Sequence, residues 1–159
     1  MREHLEARFR QWAQAPHARL PAFTVPAPIA KISVRLPKLP PTLALTAALN
    51  LAPDSMLPRA PLAPLIGRHL RLHVLDAGLR LDFTLNAKGR FRPSRAAANA
   101  QPEMTISASL RDFIALALGE EDADTLFFAR RLLIEGDTSL GLLVKNTLSS
   151  TKWSDFLRR

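Results

Sequence analysis

Between His69 and Phe91 the sequence alternates, and that alternation narrows what the chain can fold into. His69-Leu70-Arg71-Leu72-His73-Val74 has an apolar side chain at every second position. Asp76-Ala77-Gly78 is a turn signal, and Leu79-Arg80-Leu81-Asp82-Phe83-Thr84-Leu85-Asn86 alternates again. After Ala87-Lys88-Gly89, Phe91 opens a third strand. Successive strand residues point to opposite faces. Leu70, Leu72, Val74, Leu79, Leu81, Phe83, Leu85 and Phe91 therefore share one apolar face of an antiparallel meander, while Arg71, Arg80 and Asp82 share a face that is wet or covers something polar. An apolar sheet face has to be covered, so the rest of the chain must supply helices.

The downstream sequence supplies them. Met104 to Ala108 is a fourth strand, and Ser109 caps a helix to about Leu118 with Leu110, Phe113, Ile114 and Leu118 on one face. Glu120, Glu121, Asp122 and Asp124 read as a solvated acidic loop leading to Phe127 and Phe128. Residues 131–135, with Leu132, Leu133 and Ile134, are long enough for a strand. Gly136 turns the chain and Asp137 caps a last helix, because its carboxylate can accept from the free N–H groups of the first turn. Leu140, Leu143, Val144 and Leu148 fall on one face of that helix. Upstream, residues 42–51 form an Ala/Leu helix with Thr42 as cap and Leu45, Ala48 and Leu49 on a face; Leu62, Leu65 and Ile66 seat the segment after it. The resulting order predicts an α+β domain, one sheet with helices over its apolar face.

The 159 residues suggest one domain with an appendage. Seven of the 13 prolines lie in residues 16–41, which reads as an extended arm because proline fixes φ and removes a donor; only residues 29–36 have strand character. Residues 2–15 read as an amphipathic helix in which Leu5, Phe9 and Trp12 make a stripe and Arg2, Arg8 and Arg10 occupy the other sides. Such a helix lies in a membrane interface, packs on its own domain or frays. The expected division is therefore an arm over 1–41 and a domain over 42–159. Residues 1–38 carry seven basic and two acidic side chains and residues 119–159 six and seven, so the front of the chain favours an anionic partner. A nucleic-acid partner is not expected, since there is no Tyr and no helix-turn-helix or zinc-finger pattern. An anionic membrane surface is. The N-terminus lacks the apolar core of a secretory signal and no run approaches a membrane span. Together with the absence of cysteine, this points to a cytoplasmic, peripherally membrane-associated protein.

No catalytic constellation emerges. His69 and His73 share a strand face but stand about 13 Å apart at ~3.3 Å per residue, too far to share a metal. There is no nucleophile elbow and no phosphate loop. Catalytic residues, metal and cofactor are all expected to be absent. What remains is a surplus of apolar and aromatic side chains around the sheet face, which by itself reads as core.

One ordered run adds to this. FF at 127–128, then RRL, IEGD, LGL and VKN as far as Asn146 resemble the C-terminal end of the type-two sterol-carrier-protein lipid-binding domain, specifically its branch serving oxygen-independent ubiquinone biosynthesis. The resemblance is strong over residues 121–148 and holds as a pattern over 68–118. It implies a five-stranded mixed sheet with helices enclosing an apolar tunnel. It also implies a non-enzymatic carrier that holds an isoprenoid quinone precursor or a phospholipid and presents intermediates to the hydroxylases of that pathway. The tunnel lining it implies is Leu72, Val74, Leu81, Phe83, Ile106, Phe113, Phe127, Leu140, Leu143 and Val144, with Arg130 and Arg131 near a polar headgroup. Leu5, Phe9, Trp12, Arg2 and Arg8 would contact the membrane. The Pro-rich segment is long for this family and the tail after Leu148 short, leaving only Trp153, Phe156 and Leu157 to close the tunnel. The other reading is a scaffolding domain with a filled core that docks on an anionic partner.

Overall fold

A computed structural model describes residues 23–24, 39–52, 54, 57–96 and 99–150. The N-terminal amphipathic helix with Arg2, Leu5, Arg8, Phe9 and Trp12, the strand-like stretch 29–36 and the C-terminal cluster of Trp153, Phe156 and Leu157 lie outside the described residues.

The alternating stretch forms β1 (Leu70–Val74), β2 (Leu79–Leu85) and β3 (Phe91–Pro93). β1 and β2 are antiparallel, with Leu70 opposite Phe83, Leu72 opposite Leu81 and Val74 opposite Leu79. Each facing pair is apolar, so the register matches the pattern of the sequence. β4 (Met104–Ala108) lies parallel to β1, and β5 (Leu133–Gly136) antiparallel to β4. The result is a five-stranded mixed sheet in the order β3-β2-β1-β4-β5.

Helix α1 (Leu39–Leu51) begins earlier than residue 42, because Pro40 and Pro41 sit in its first turn, where no N–H is needed. Thr42 is therefore a buried residue of the helix rather than its cap, and Ala48 is exposed. A 3-10 turn (Ala60–Leu65) follows and buries Leu62 and Leu65, while Ile66 stays exposed and bridges Leu85. Helix α2 (Leu110–Leu118) is capped by Ser109, whose hydroxyl accepts from the Asp112 N–H at 3.1 Å. Its innermost residues are Asp112, Ala115 and Leu116; Leu110, Phe113, Ile114 and Leu118 are only half-buried. The expected face is displaced because Asp112 is drawn inward by an arginine described below. The acidic stretch is not a free loop. Asp122 caps a short helix α3 (Ala123–Phe128), accepting from the Thr125 N–H at 2.8 Å, and buries Ala123 and Leu126. Helix α4 (Thr138–Ser150) starts at Asp137, which accepts from the Leu140 N–H at 3.0 Å. Its stripe is as the spacing predicts: Leu140 and Val144 are buried and Leu143 and Leu148 pack partly on the core.

Gly136, expected as the turn between the strand and the last helix, is the last residue of β5, paired with Met104 and directly before the Asp137 cap. Its φ is +110°, and a Cβ there would collide with the Glu103 carbonyl. Gly141 is likewise spent on proximity, since its Cβ would lie 3.0 Å from Ile134 Cγ2. α4 can thus approach the edge of the sheet closely.

At the opposite edge, the Asn50 side chain donates to the Phe91 carbonyl and accepts from the Phe91 N–H, both at 2.8 Å. Asn50 occupies the outer side of β3 as a neighbouring strand would, which protects an otherwise open sheet edge. Arg59 fixes the same corner. Its guanidinium donates to the carbonyls of Leu49, Ala52 and Gly89 and lies 5.3 Å from the Phe91 ring centre. Asn50→Ala leaves both Phe91 backbone groups without this partner and is expected to lower stability by about 1–3 kcal/mol, as read by chemical denaturation.

Candidate functional site

The layer between the sheet and the helices is the candidate lipid site. Its core unites Phe83, Ile106, Leu140 and Val144, all buried, with Leu65, Leu70, Met104, Leu116, Leu126 and Leu132. Leu72, Phe113, Ile134, Leu143 and Leu148 are packed against that core but remain partly accessible. Seven of the ten sequence-predicted lining residues therefore come together: Leu72, Phe83, Ile106, Phe113, Leu140, Leu143 and Val144. Val74 and Leu81 are buried but stand outside that cluster. Phe127 is half-buried, with the Lys145 ammonium 6.0 Å from its ring centre, and its neighbour Phe128 is 77% exposed. Leu126, Leu132 and Ile134 were not foreseen as lining residues. Their signals are the short apolar run 132–134 and Gly141, a helical glycine that marks where Ile134 touches α4.

The charged side chains of this region hold the framework. Asp112, its side chain only 8% exposed, accepts from Arg131 Nη2. The same guanidinium donates through Nη1 to both oxygens of Glu121, at 2.9 and 3.1 Å. The Asp112 hydrogen bond, reinforced by Glu121 and opposed by burial, pushes Arg131 above the ordinary arginine range. This cluster ties α2 to the approach to α3 and to the turn before β5. Arg131 is thus occupied by protein carboxylates, whereas Arg130 is exposed, with a left-handed φ of 57°. A cleft of about 330 Å³ beside the cluster is lined by Phe23, Thr24, Ser109, Arg111, Asp112 and Arg131. Lys145 pairs with Asp124 at 2.6 Å and joins α4 to α3. Asp122 is held below the ordinary carboxylate range by hydrogen bonds from the Thr125 hydroxyl and backbone. Each carboxylate from Glu121 to Asp124 therefore has a structural task, and among the described residues no group of acidic and histidine side chains could hold a metal ion.

The opposite sheet face carries partly buried, paired polar side chains. Arg71 Nε donates to Asp82 Oδ1 at 2.6 Å, and His69 Nε2 lies 3.2 Å from the same oxygen. His73 sits opposite Arg80 and beside Arg71 in the sheet. Partial burial first, then the charges of Arg80 and Arg71, hold it below its ordinary value of 6.5, with Glu135 acting the other way. Folding thus favours neutral His73, and the unfolded chain binds its proton more readily. This contribution is complete above pH 6.5 and is lost as pH falls from there through the lowered folded value. His73→Gln is expected to flatten that acid-side loss in a series of thermal unfolding curves.

No helix among the described residues is long and apolar enough to cross a membrane. Over 84 residues the chain is 45% identical to the Ubiquinone biosynthesis accessory factor UbiT of Escherichia coli (strain K12), an alignment covering 53% of this chain and 46% of that protein. The chain thus spans about half the length of the curated relatives it matches. The fold is similar to that of a solved structure, the UbiJ-SCP2 Ubiquinone synthesis protein, with a TM-score of 0.50 at 16% identity, covering 67% of this chain and 91% of that one. The family model of the SCP-2 sterol transfer family matches residues 45–149, from within α1 to the end of α4. The chain belongs to the SCP-2 sterol transfer family.

Proposed function

We propose that the chain is a non-catalytic lipid-binding accessory protein of ubiquinone biosynthesis, with an arm over residues 1–41 and a lipid-binding domain over 42–159. The domain holds the apolar tail of a polyprenylated quinone precursor, or of a membrane phospholipid, between the sheet and its helices. It presents the aromatic head to the hydroxylases of an oxygen-independent pathway. The observation that carries this reading is the set of half-buried apolar side chains, Leu72, Phe113, Ile134, Leu143 and Leu148 among them, packed against the sealed core. A packed domain gains by sealing such groups, at about 25 cal/mol per Å² of apolar surface; a carrier leaves them for its ligand. The likeness to UbiT, an accessory factor by name, supports the pathway and the accessory role. In the test, delipidated protein is incubated with vesicles doped with a polyprenylphenol and re-isolated. Retention of about one prenylphenol per chain supports the reading, and none above a non-binding control protein contradicts it.

A specific observation favours a second reading. Val74, Leu81, Phe83, Ile106, Leu140 and Val144 are nearly as inaccessible as any core residue, as in a filled scaffold. That scaffold would emerge from the same incubation without lipid.

The carrier must load at a bilayer, and the basic arm offers an anchor for an anionic surface. Each basic residue near such a surface contributes about 1 kcal/mol, attenuated by salt, while insertion of Phe9 and Trp12 is not screened. Vesicle co-sedimentation is expected to weaken at high ionic strength without vanishing, and to weaken further when residues 1–15 are deleted. Equal binding by both chains would remove the arm as anchor.

A further inference from the structure

The first described helix has no charged face. The 13 residues of α1, LPPTLALTAALNL, include no ionisable side chain, whereas a surface helix normally turns charged or polar residues outward. Here the polar groups point inward. Thr42 and Thr46 are buried, the Thr46 hydroxyl donates to the carbonyls of Thr42 and Leu43, and Asn50 is engaged with Phe91. Leu43, Ala44, Ala47, Ala48 and Leu51 are all exposed. Their spacing makes one continuous stripe along the outer side of the helix. Leu43 is 54% and Leu51 78% exposed, a solvent-facing placement that the helix's packing does not require.

The hairpin to which the stripe is joined carries one sign of charge, while Asp54, just beyond α1, is paired with Arg59 at 3.6 Å. Asn50 and Arg59 fasten α1 to the β2–β3 hairpin. That hairpin and the loop after it bear Lys88, Arg90, Arg92 and Arg95, all exposed. Residues 83–102 contain no Asp or Glu, and none of these four cations takes part in the ion pairs among the described residues. An apolar helical stripe rigidly joined to unopposed cations matches the interface of an anionic bilayer. There apolar side chains enter the headgroup–acyl boundary and cations meet lipid phosphates. A second copy of the chain fits less well, because a symmetric contact through the stripe would bring two sets of the same cations together.

We propose that the outer stripe of α1, with Lys88, Arg90, Arg92 and Arg95, is a docking face of the domain for an anionic phospholipid bilayer. It goes beyond the carrier reading, since it needs neither residues 1–15 nor a bound lipid, and it orients the domain with its β3 edge toward the membrane. The test uses the full chain and vesicles of phosphatidylcholine with and without phosphatidylglycerol. Leu43→Glu/Leu51→Glu is expected to lower vesicle partitioning at least tenfold. Lys88→Ser/Arg90→Ser/Arg95→Ser is expected to remove the preference for phosphatidylglycerol and most of the salt dependence. All these positions are exposed, so the thermal midpoint should remain that of the parent, and lipid content by native mass spectrometry should be unchanged. The Glu pair is also placed in the chain lacking residues 1–15, where it is expected to abolish the residual binding. Parental partitioning by either variant overturns the proposal, as does complete loss of binding on deletion of 1–15 alone. A Glu pair that changes the sedimentation-velocity mass while leaving vesicle binding intact also overturns it and makes the stripe a contact between copies.

Discussion

Val144→Asp is expected to lower stability by about 3–5 kcal/mol, while its neighbour Leu143→Asp should leave the fold standing and empty the site. The contrast follows from where α4 places the two side chains. Val144 is 7% exposed and belongs to the sealed core. A carboxylate there has no partner among Leu140, Leu116 and Ile106, so it costs several kcal/mol whether it ionises, protonates or draws water inward. Leu143 lies on the same stripe but is half-buried, so a carboxylate can reach solvent at the cost of about 1–2 kcal/mol of lost burial. If these half-buried side chains hold the lipid tail, Leu143→Asp loses most co-purifying lipid with a near-parental unfolding midpoint. Parental lipid content in a folded Leu143→Asp chain would take α4 out of the site.

Gly136→Ala should be the most damaging change of a single methyl group. At φ +110° an alanine is strained, and its Cβ would meet the Glu103 carbonyl and lie 3.0 Å from Met104 Cα, all backbone that only moves with the strand. Strain of this kind costs about 1–3 kcal/mol. The clash must also separate β5 from β4 at the Met104–Gly136 pair. The combined loss is expected to reach at least 3 kcal/mol, a fall of roughly 10–20 °C in thermal midpoint for a domain this size. Gly67→Ala is the control. Its φ is +75° with nothing within 4 Å of the added Cβ, so it carries the conformational cost alone, about 1 kcal/mol. Equal losses at the two positions would show that the close approach of β5 to Glu103 is not what requires the glycine.

The sheet was legible because its signals are local. Period-two alternation from Leu70 to Leu85, the Gly78 and Gly89 turns, and the Ser109 and Asp137 caps each act within a few residues. They placed β1, β2, β4, α2 and α4 almost to the residue. The misreadings share a different cause, since they depend on partners far along the chain. Asp112 looks like a first-turn acid until Arg131, distant in sequence, draws it inward and displaces the buried face of α2. The acidic stretch looks solvated until Arg131 and Lys145 arrive to engage Glu121 and Asp124. Thr42 looks like a cap because nothing in the sequence announces that Pro40 and Pro41 are already helical. The candidate site was partly legible for the same reason. The stripe positions Leu140, Leu143 and Val144 follow from helical period. The choice of which apolar residue is sealed and which remains half-open is a property of layer spacing, set by Gly141 against Ile134.

A lipid held between the sheet and the helices would travel with the protein through purification. Native mass spectrometry of the full chain purified from cells without detergent tests it most directly. The expected spectrum holds a population heavier than the polypeptide by the mass of one polyprenylated aromatic or one phospholipid. That population should be lost in Leu143→Asp and retained in Leu43→Glu/Leu51→Glu. A single peak at the polypeptide mass, unchanged after exposure to prenylphenol-doped vesicles, would contradict it and leave a filled scaffold.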